Sequence, residues 1–266
     1  MPYKLQKDEP LDAGLKRVAE EQLTNAINEL QAHQELQVGI YQARKSLKKV
    51  RAILRLVALP LGPVYVEENR RLRDVARKFG TLRDSQVSLE LLDEFSGRYK
   101  RKSTLNPQKK AIAEKQQAME QQTDWHAVMA ESVKELIATR RRVEDWPLAH
   151  LTAAQLHAEI AKTHKQSKHA LEKARKTGHA EDFHEFRKSV KRELNQAQLF
   201  ESTNVASLKQ LAKLLGDHHN LAVLLGNLNH ASARFSRMVR RDMLALEQQI
   251  LDLGFQSYEA KRSAVA

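Results

Sequence analysis

The chain has 266 residues, of which 41% are hydrophobic: enough for packed cores and too many for wholesale disorder. It has no cysteine, which excludes disulfides, thiol catalysis and cysteine-held zinc or iron–sulfur sites. The net charge of +12 points to a polyanion (nucleic acid, an anionic membrane surface or phosphate), while 5% aromatic content argues against a platform that stacks single-stranded bases.

No apolar run approaches the length needed to cross a bilayer, so membrane insertion is not expected. The N-terminal MPYKLQKDEPLD lacks the apolar centre of a signal peptide, which makes the cytoplasm the expected location. With nine Gly, six Pro and long stretches of Ala, Leu, Glu, Gln, Lys and Arg, the chain reads as all-α.

A first helix is expected over 11–32, where Leu15, Val18, Ala19, Leu23, Ala26, Ile27 and Leu30 recur at three- and four-residue spacing. A second is expected over 36–59, ended by Pro60-Leu61-Gly62-Pro63. It contains Arg44-Lys45-Ser46-Leu47-Lys48-Lys49-Val50-Arg51-Ala52-Ile53-Leu54-Arg55, with six cations and no carboxylate. At helical spacing Arg44, Lys48, Arg51 and Arg55 form one stripe, bordered by the apolar Ala43, Leu47, Val50 and Leu54. These cations therefore flank a face that must be buried. A third helix, 65–79, places Arg70, Arg73 and Arg77 on one face and ends at Gly80, and a fourth covers 82–95.

A basic linker is read over 97–107, then helices over 108–122 and 125–142; Arg140-Arg141-Arg142 reads as solvated charge. Trp146-Pro147 closes the first half. A long helix over 149–176 is stopped by Gly178 in C-cap fashion and carries Lys165 and Lys168, beside His164 and His169, as a possible addition to a basic surface. Glu181 and Asp182 open a helix reaching Phe200. It holds an answering stretch with His184, Arg187, Lys188, Lys191 and Arg192. Helices over 206–215 and 218–231 and a last one reaching Leu253 follow.

The two halves repeat. Residues 69–92 align without gaps on 205–228, pairing Leu72 with Leu208, Arg73 with Lys209, Arg77 with Lys213, Gly80 with Gly216, and Arg83-Asp84 with His219-Asn220. Upstream, Arg44, Lys45, Lys48 and Lys49 pair with Arg187, Lys188, Lys191 and Arg192, across a connection that is shorter in the second half. The expected architecture is a single domain, 1–266, of two pseudo-twofold-related helical bundles, 8–146 and 147–260. If their basic helices face each other, the cations line a shared groove or channel. Like charges brought that close repel by roughly a kcal/mol or more per pair, a cost that an anion would remove.

The pattern R-K-x-x-K-K-x-R, a helix ending in Gly, then R-D, repeated as H-x-x-R-K-x-x-K-R and L-G-D-x-H-x-L, resembles the CHAD family (conserved histidine α-helical domain) over nearly the whole chain. The resemblance implies inorganic polyphosphate bound in a basic central channel, association with polyphosphate granules, and no catalytic residue or cofactor. One position departs from it. The family's first-half histidine stands three residues before the Arg-Lys pair; here that residue is Tyr41, while His184 is retained in the second half. Tyr41 can donate a hydrogen bond but cannot become a cation, so pH-dependent charge should come from one half only.

The binding candidates are thus Arg44, Lys48, Arg51, Arg55, Arg187 and Lys191 first, with Lys45, Lys49, Arg73, Arg77, Arg83, Lys188, Arg192, Lys209, Lys213, His184 and His219 around them. Arg supplies a planar fork for two phosphate oxygens and Lys a compact cation. Nucleic acid is the alternative partner, although no helix-turn-helix, zinc-finger or stacking signature accompanies the charge. Asp217-His218-His219 invites a metal-dependent phosphohydrolase reading. It lies at an expected helix boundary without a carboxylate cluster, so capping plus one histidine facing phosphate is the preferred reading, and no metal is expected.

Overall fold

The computed structural model describes residues 3–32, 36–98, 102–227 and 233–259. Among them there are eleven helices and no strand: α1 (Leu11–Ala32), α2 (Leu36–Leu56), α3 (Ala58–Leu61), α4 (Pro63–Lys78), α5 (Gly80–Arg98), α6 (Lys102–Gln122), α7 (Trp125–Val143), α8 (Ala153–Thr177), α9 (Ala180–Leu199), α10 (Val205–Asn227) and α11 (Ala233–Glu259). None of these helices is long and apolar enough to cross a membrane.

The chain forms two compact units, 1–86 with 114–160 and 87–113 with 161–266. The boundaries fall inside α5, α6 and α8, so each unit is discontinuous in sequence, unlike the 8–146 and 147–260 division drawn from the repeat.

In the first unit α1 packs against α2 and α7, and α4 against α2 and α7. The periodic apolar positions of α1 are the buried ones: Leu15, Val18, Ala19 and Leu23 are fully inaccessible. On α2 the buried stripe is Ile40, Ala43, Leu47, Val50, Ile53 and Leu54. Gly62, at φ 51°, permits the reversal between α3 and α4, a conformation that a side chain at this position would strain. Pro63 then opens α4, where its missing N–H would have had no helical partner anyway. Glu68 is buried on α4 and receives Arg142 Nε at 2.6 Å, tying α4 to α7. Arg142 also reaches Thr139, and Arg140 reaches Thr24 Oγ1 at 3.1 Å. Two of the three arginines read as solvated charge are therefore structural, because α7 lies on α1 and α4 and turns those two toward polar partners.

In the second unit one core cluster joins α8 (Leu171, Ala174), α9 (Phe183, Phe186, Val190), α10 (Leu208, Leu211, Leu215) and α11 (Ile250, Tyr258). Another joins α5 (Leu91, Leu92, Phe95) and α6 (Leu105) to α10 (Leu221, Leu224) and α11 (Phe235, Val239, Met243). Glu193, 5% exposed, is held by His164 Nδ1 at 2.8 Å and by the Tyr258 hydroxyl, which donates at 2.7 Å. Gly178, at φ 64°, ends α8 as expected of a C-cap glycine, and Lys173 and Thr177 both reach Asp182 at 2.7 Å at the start of α9.

The structure corrects several helix boundaries. The largest correction is that α10 runs unbroken through Gly216, where two helices, 206–215 and 218–231, were expected. Its buried positions 208, 211, 215, 218, 221 and 224 keep helical period across the glycine, and burial of that stripe outweighs a penalty of about 1 kcal/mol for one interior Gly. Accordingly Asp217 lies in mid-helix, and the capping reading of the 217–219 run fails. Asp84 lies inside α5, in its second turn. Of the expected linker, 97–98 belong to α5 and 102–107 to α6, with Pro107 inside the helix; 99–101 lie outside the described residues. Leu105, fully buried, anchors the turn before that proline.

Candidate functional site

In the first unit, α2, α4 and the start of α5 border a half-open cavity of ≈ 260 Å³ lined by Arg44, Leu47, Lys48, Arg51, Arg73, Ala76, Arg77 and Gly80. Five of these eight residues are cations and none is acidic. The helical stripe on α2 and the cationic face of α4 thus converge, as the i, i+3/i+4, i+7 spacing requires once α4 packs against α2. Leu47, Ala76 and Gly80 provide an apolar floor that charge patterning alone did not indicate. Arg44 Nη1 reaches the Gly80 side of the pocket, 4.0 Å from where a Cβ would stand, an ordinary contact distance.

Hydrogen bonds orient the guanidinium groups. Arg44 Nη1 donates to the carbonyl of Ala76. Arg51 Nε donates to Asn69 Oδ1 at 2.9 Å, and Arg73 Nε to Asp74 Oδ1 at 2.9 Å. Among the described residues Arg44, Arg51, Arg55 and Arg77 have no ion-pair partner. Burial weakens the hold of Arg51 on its proton, Arg55 adds to the effect, Tyr65 opposes it, and Arg73 and Arg77 add further. Arg44 shifts in the same direction, through burial first, with Asp84 opposing and Arg83 reinforcing. Arginine stays charged nonetheless, so these shifts register burial first, with like-charged neighbours adding to it.

Lys45 and Lys49 point elsewhere. Lys49 Nζ lies 4.8 Å from the centroid of the Tyr3 ring, and Lys45 is exposed nearby, where it and burial lower the proton affinity of Lys49, burial first. The Arg55 side chain is half-buried beside Arg51 but does not line the cavity. Arg83 lies over the ring of Tyr41, 4.8 Å from guanidinium to centroid.

The second unit carries the answering face on α9 and α10. The Nδ1 atoms of His184 and His219 are 3.0 Å apart, with ring centroids at 4.3 Å. Burial, then Arg187, His184, Lys191 and His218, push the His219 pKa down to about 4. His184 is also lowered, by burial first and then Lys188 and Arg187, against Glu181 and Glu185. Burial depresses Arg187 as well, and its Nε finds no acceptor among the described residues. Lys191 and Arg192 are half-buried, and Arg192 Nη1 donates to Gln166 Oε1 at 2.8 Å. Lys188 pairs with Glu185 at 2.5 Å and Lys213 with Asp217 at 3.2 Å; Lys209 is exposed. On α8, Lys165 is exposed and Lys168 half-buried, while His164 turns inward to Glu193.

Positions aligned by the repeat make corresponding contacts within each unit. Tyr41 meets Arg83 as His184 meets His219. Lys49 and its counterpart Arg192 both turn to a local partner. The Asp217-His218-His219 run splays apart: Asp217 goes to Lys213, His218 Nε2 to Glu247 Oε1 at 3.0 Å, and His219 to His184. Among the described residues no group of three His, Asp or Glu is placed to hold a metal.

A family model described as CHAD domain matches residues 21–234. The chain belongs to the CHAD family. Among solved structures it is similar to the crystal structure of the CHAD domain from the plant Ricinus communis, with 18% identity, a TM-score of 0.61, and coverage of 98% of this chain and 97% of that one. No curated protein gives a significant match. The CHAD fold therefore spans both units.

Proposed function

We propose that this CHAD domain binds inorganic polyphosphate through the cations of α2 and α4 in its first unit and of α9 and α10 in its second, without catalysing a reaction. The observation that carries the reading is the cavity of Arg44, Lys48, Arg51, Arg73 and Arg77, a built cluster with no carboxylate in its lining. Polyphosphate supplies about one negative charge per phosphate along a flexible line, which suits cations spaced along helices. The matching face on α9 and α10 supports the same role for the second unit. That both faces line one groove rests on the sequence repeat and the family resemblance, and belongs to the proposal. Cytoplasmic residence at polyphosphate granules follows from the same reading.

Affinity is then largely electrostatic. By analogy with single-stranded nucleic acids, log K falls with log[salt] at about 0.7 per phosphate neutralised. The test is titration of long-chain polyphosphate into the wild type and into Arg44→Gln/Lys48→Gln/Arg51→Gln. The triple variant is expected to bind at least about tenfold more weakly and with a salt slope shallower by about 2, while still unfolding cooperatively. Unchanged affinity in a folded triple variant rejects the site. Competition at equal phosphate concentration separates polyphosphate from DNA or RNA; a nucleic acid that wins identifies the alternative partner.

A further inference from the structure

The contact between His184 and His219 dictates where protons can reside. Two imidazole Nδ1 atoms at 3.0 Å are joined by a single N–H: one ring donates and the other accepts. In the neutral pair the donor ring has a bare Nε2, and the acceptor ring carries its hydrogen on Nε2. On their far sides the two rings then offer one acceptor and one donor. A phosphate oxygen needs donors, so half of that edge repels it.

One added proton changes this without disturbing the contact. The available lone pair is Nε2 of the donor ring. Protonation there leaves both Nε2 atoms as donors and gives the pair a charge of about +1. A second proton would set N–H against N–H across 3.0 Å and break the pair. The geometry therefore admits one proton readily and opposes another.

We propose that His184 and His219 form a phosphate subsite that takes up one proton as it takes up polyphosphate, so that binding at this unit is proton-linked. The inference rests on the polyphosphate reading above. The groups facing the pair are Glu181, Glu185, Arg187, Lys188 and Lys191 on α9 and His218 on α10, the last engaged with Glu247. Together with burial, the cations keep the pair neutral near pH 7 while the subsite is empty. Phosphate oxygens reverse that field and favour the proton. The interior groups of a long polyphosphate stay ionised here, so the proton is taken up by the protein.

The first unit provides an internal contrast. Its aligned positions hold Tyr41 and Arg83, and Arg83 is charged at every relevant pH. That unit binds without proton uptake, and the whole chain takes up one proton instead of two.

Calorimetric titration of long-chain polyphosphate at pH 6, in buffers of different ionisation enthalpy, counts the protons. The wild type is expected to take up about one per chain, with affinity rising by up to about tenfold per unit as pH falls from 8 to 6. The double variant His184→Tyr/His219→Arg copies the first unit's pair. It should still bind, take up no proton and lose that pH dependence, which also guards against a simple folding defect. Wild-type binding without proton uptake, or uptake that persists in the double variant, overturns the proposal. Absence of any polyphosphate binding would instead reject the underlying function.

Discussion

Arg51 sits where binding and stability oppose each other. It is half-buried on α2, has no ion-pair partner among the described residues, and feels Arg55, Arg73 and Arg77. Replacing it by Met keeps an apolar stem of similar length and removes the charge. A neighbouring cation about 6 Å away repels by about 0.7 kcal/mol in high dielectric, so relief from three such neighbours is worth about 2 kcal/mol at low salt. The lost hydrogen bond to Asn69 offsets about 1 kcal/mol of that. The net gain of about 1 kcal/mol should raise Tm by about 2–4 °C for a chain of this size. In 1 M salt the Debye length falls to about 3 Å, the repulsion is screened, and the variant should become slightly less stable than wild type. Thermal unfolding at low and high salt, paired with polyphosphate titration, reads both effects. The reasoning fails if Arg51→Met lowers Tm equally at both salt concentrations, because the arginine would then be a packing residue and not a crowded cation.

Gly216→Ala tests the continuity of α10. The position has no neighbour within 4 Å of a built Cβ and no positive φ, so the variant should be more stable by about 1 kcal/mol in denaturant titration; destabilisation would mean that the helix is interrupted there. Glu193 governs an acid limb. Burial alone would raise its pKa, but hydrogen bonds from His164, Tyr258 and Ser167 outweigh it and hold the folded value below the ordinary 4.5. A depressed folded pKa gives stability that is present above the unfolded value and is lost as pH falls through the folded one. Glu193→Gln should therefore cost about 2 kcal/mol at pH 7 and flatten the decline in stability below pH 4.5, as measured by urea unfolding across pH. An unaltered acid limb would place the titrating group elsewhere.

Periodicity exposed most of the fold because most helices bury one unambiguous stripe. The limits of α1 follow from the spacing of Leu15, Val18, Leu23 and Ile27, and the stop of α8 from Gly178. The errors share one cause. Gly216 and Pro107 carry local signals that end helices, yet the stripe from Leu208 to Leu224 and the buried Leu105 are tertiary facts that override them. At the candidate site the α2 stripe showed which cations share a face, and the cavity contains Arg44, Lys48 and Arg51 together. Charge patterning could not show that Lys49 is drawn to Tyr3, forty-odd residues earlier in the chain, or that Arg142 is drawn to a buried Glu68. Nor could it show that His184 and His219 touch, since aligning the repeat relates each of them to the other half and not to one another.

The three crossings of the chain between its compact units constrain how the molecule can be dissected. A fragment ending at residue 146 would contain Leu91, Leu92, Phe95 and Leu105 but not the Leu221, Leu224, Phe235 and Val239 that cover them. Its partner fragment would in turn expose the far end of α10. A cut there splits the cluster that α5 and α6 form with α10 and α11, so the sequence repeat does not mark a line along which the protein can be divided into autonomous folding units. Separate expression of the halves would yield sticky species whose natural remedy is reassembly with each other. Any duplication that gave rise to the repeat must since have become dependent on a shared pair of helices, α5 and α6, encoded in the first half and packed, through residues 87–113, into the second unit.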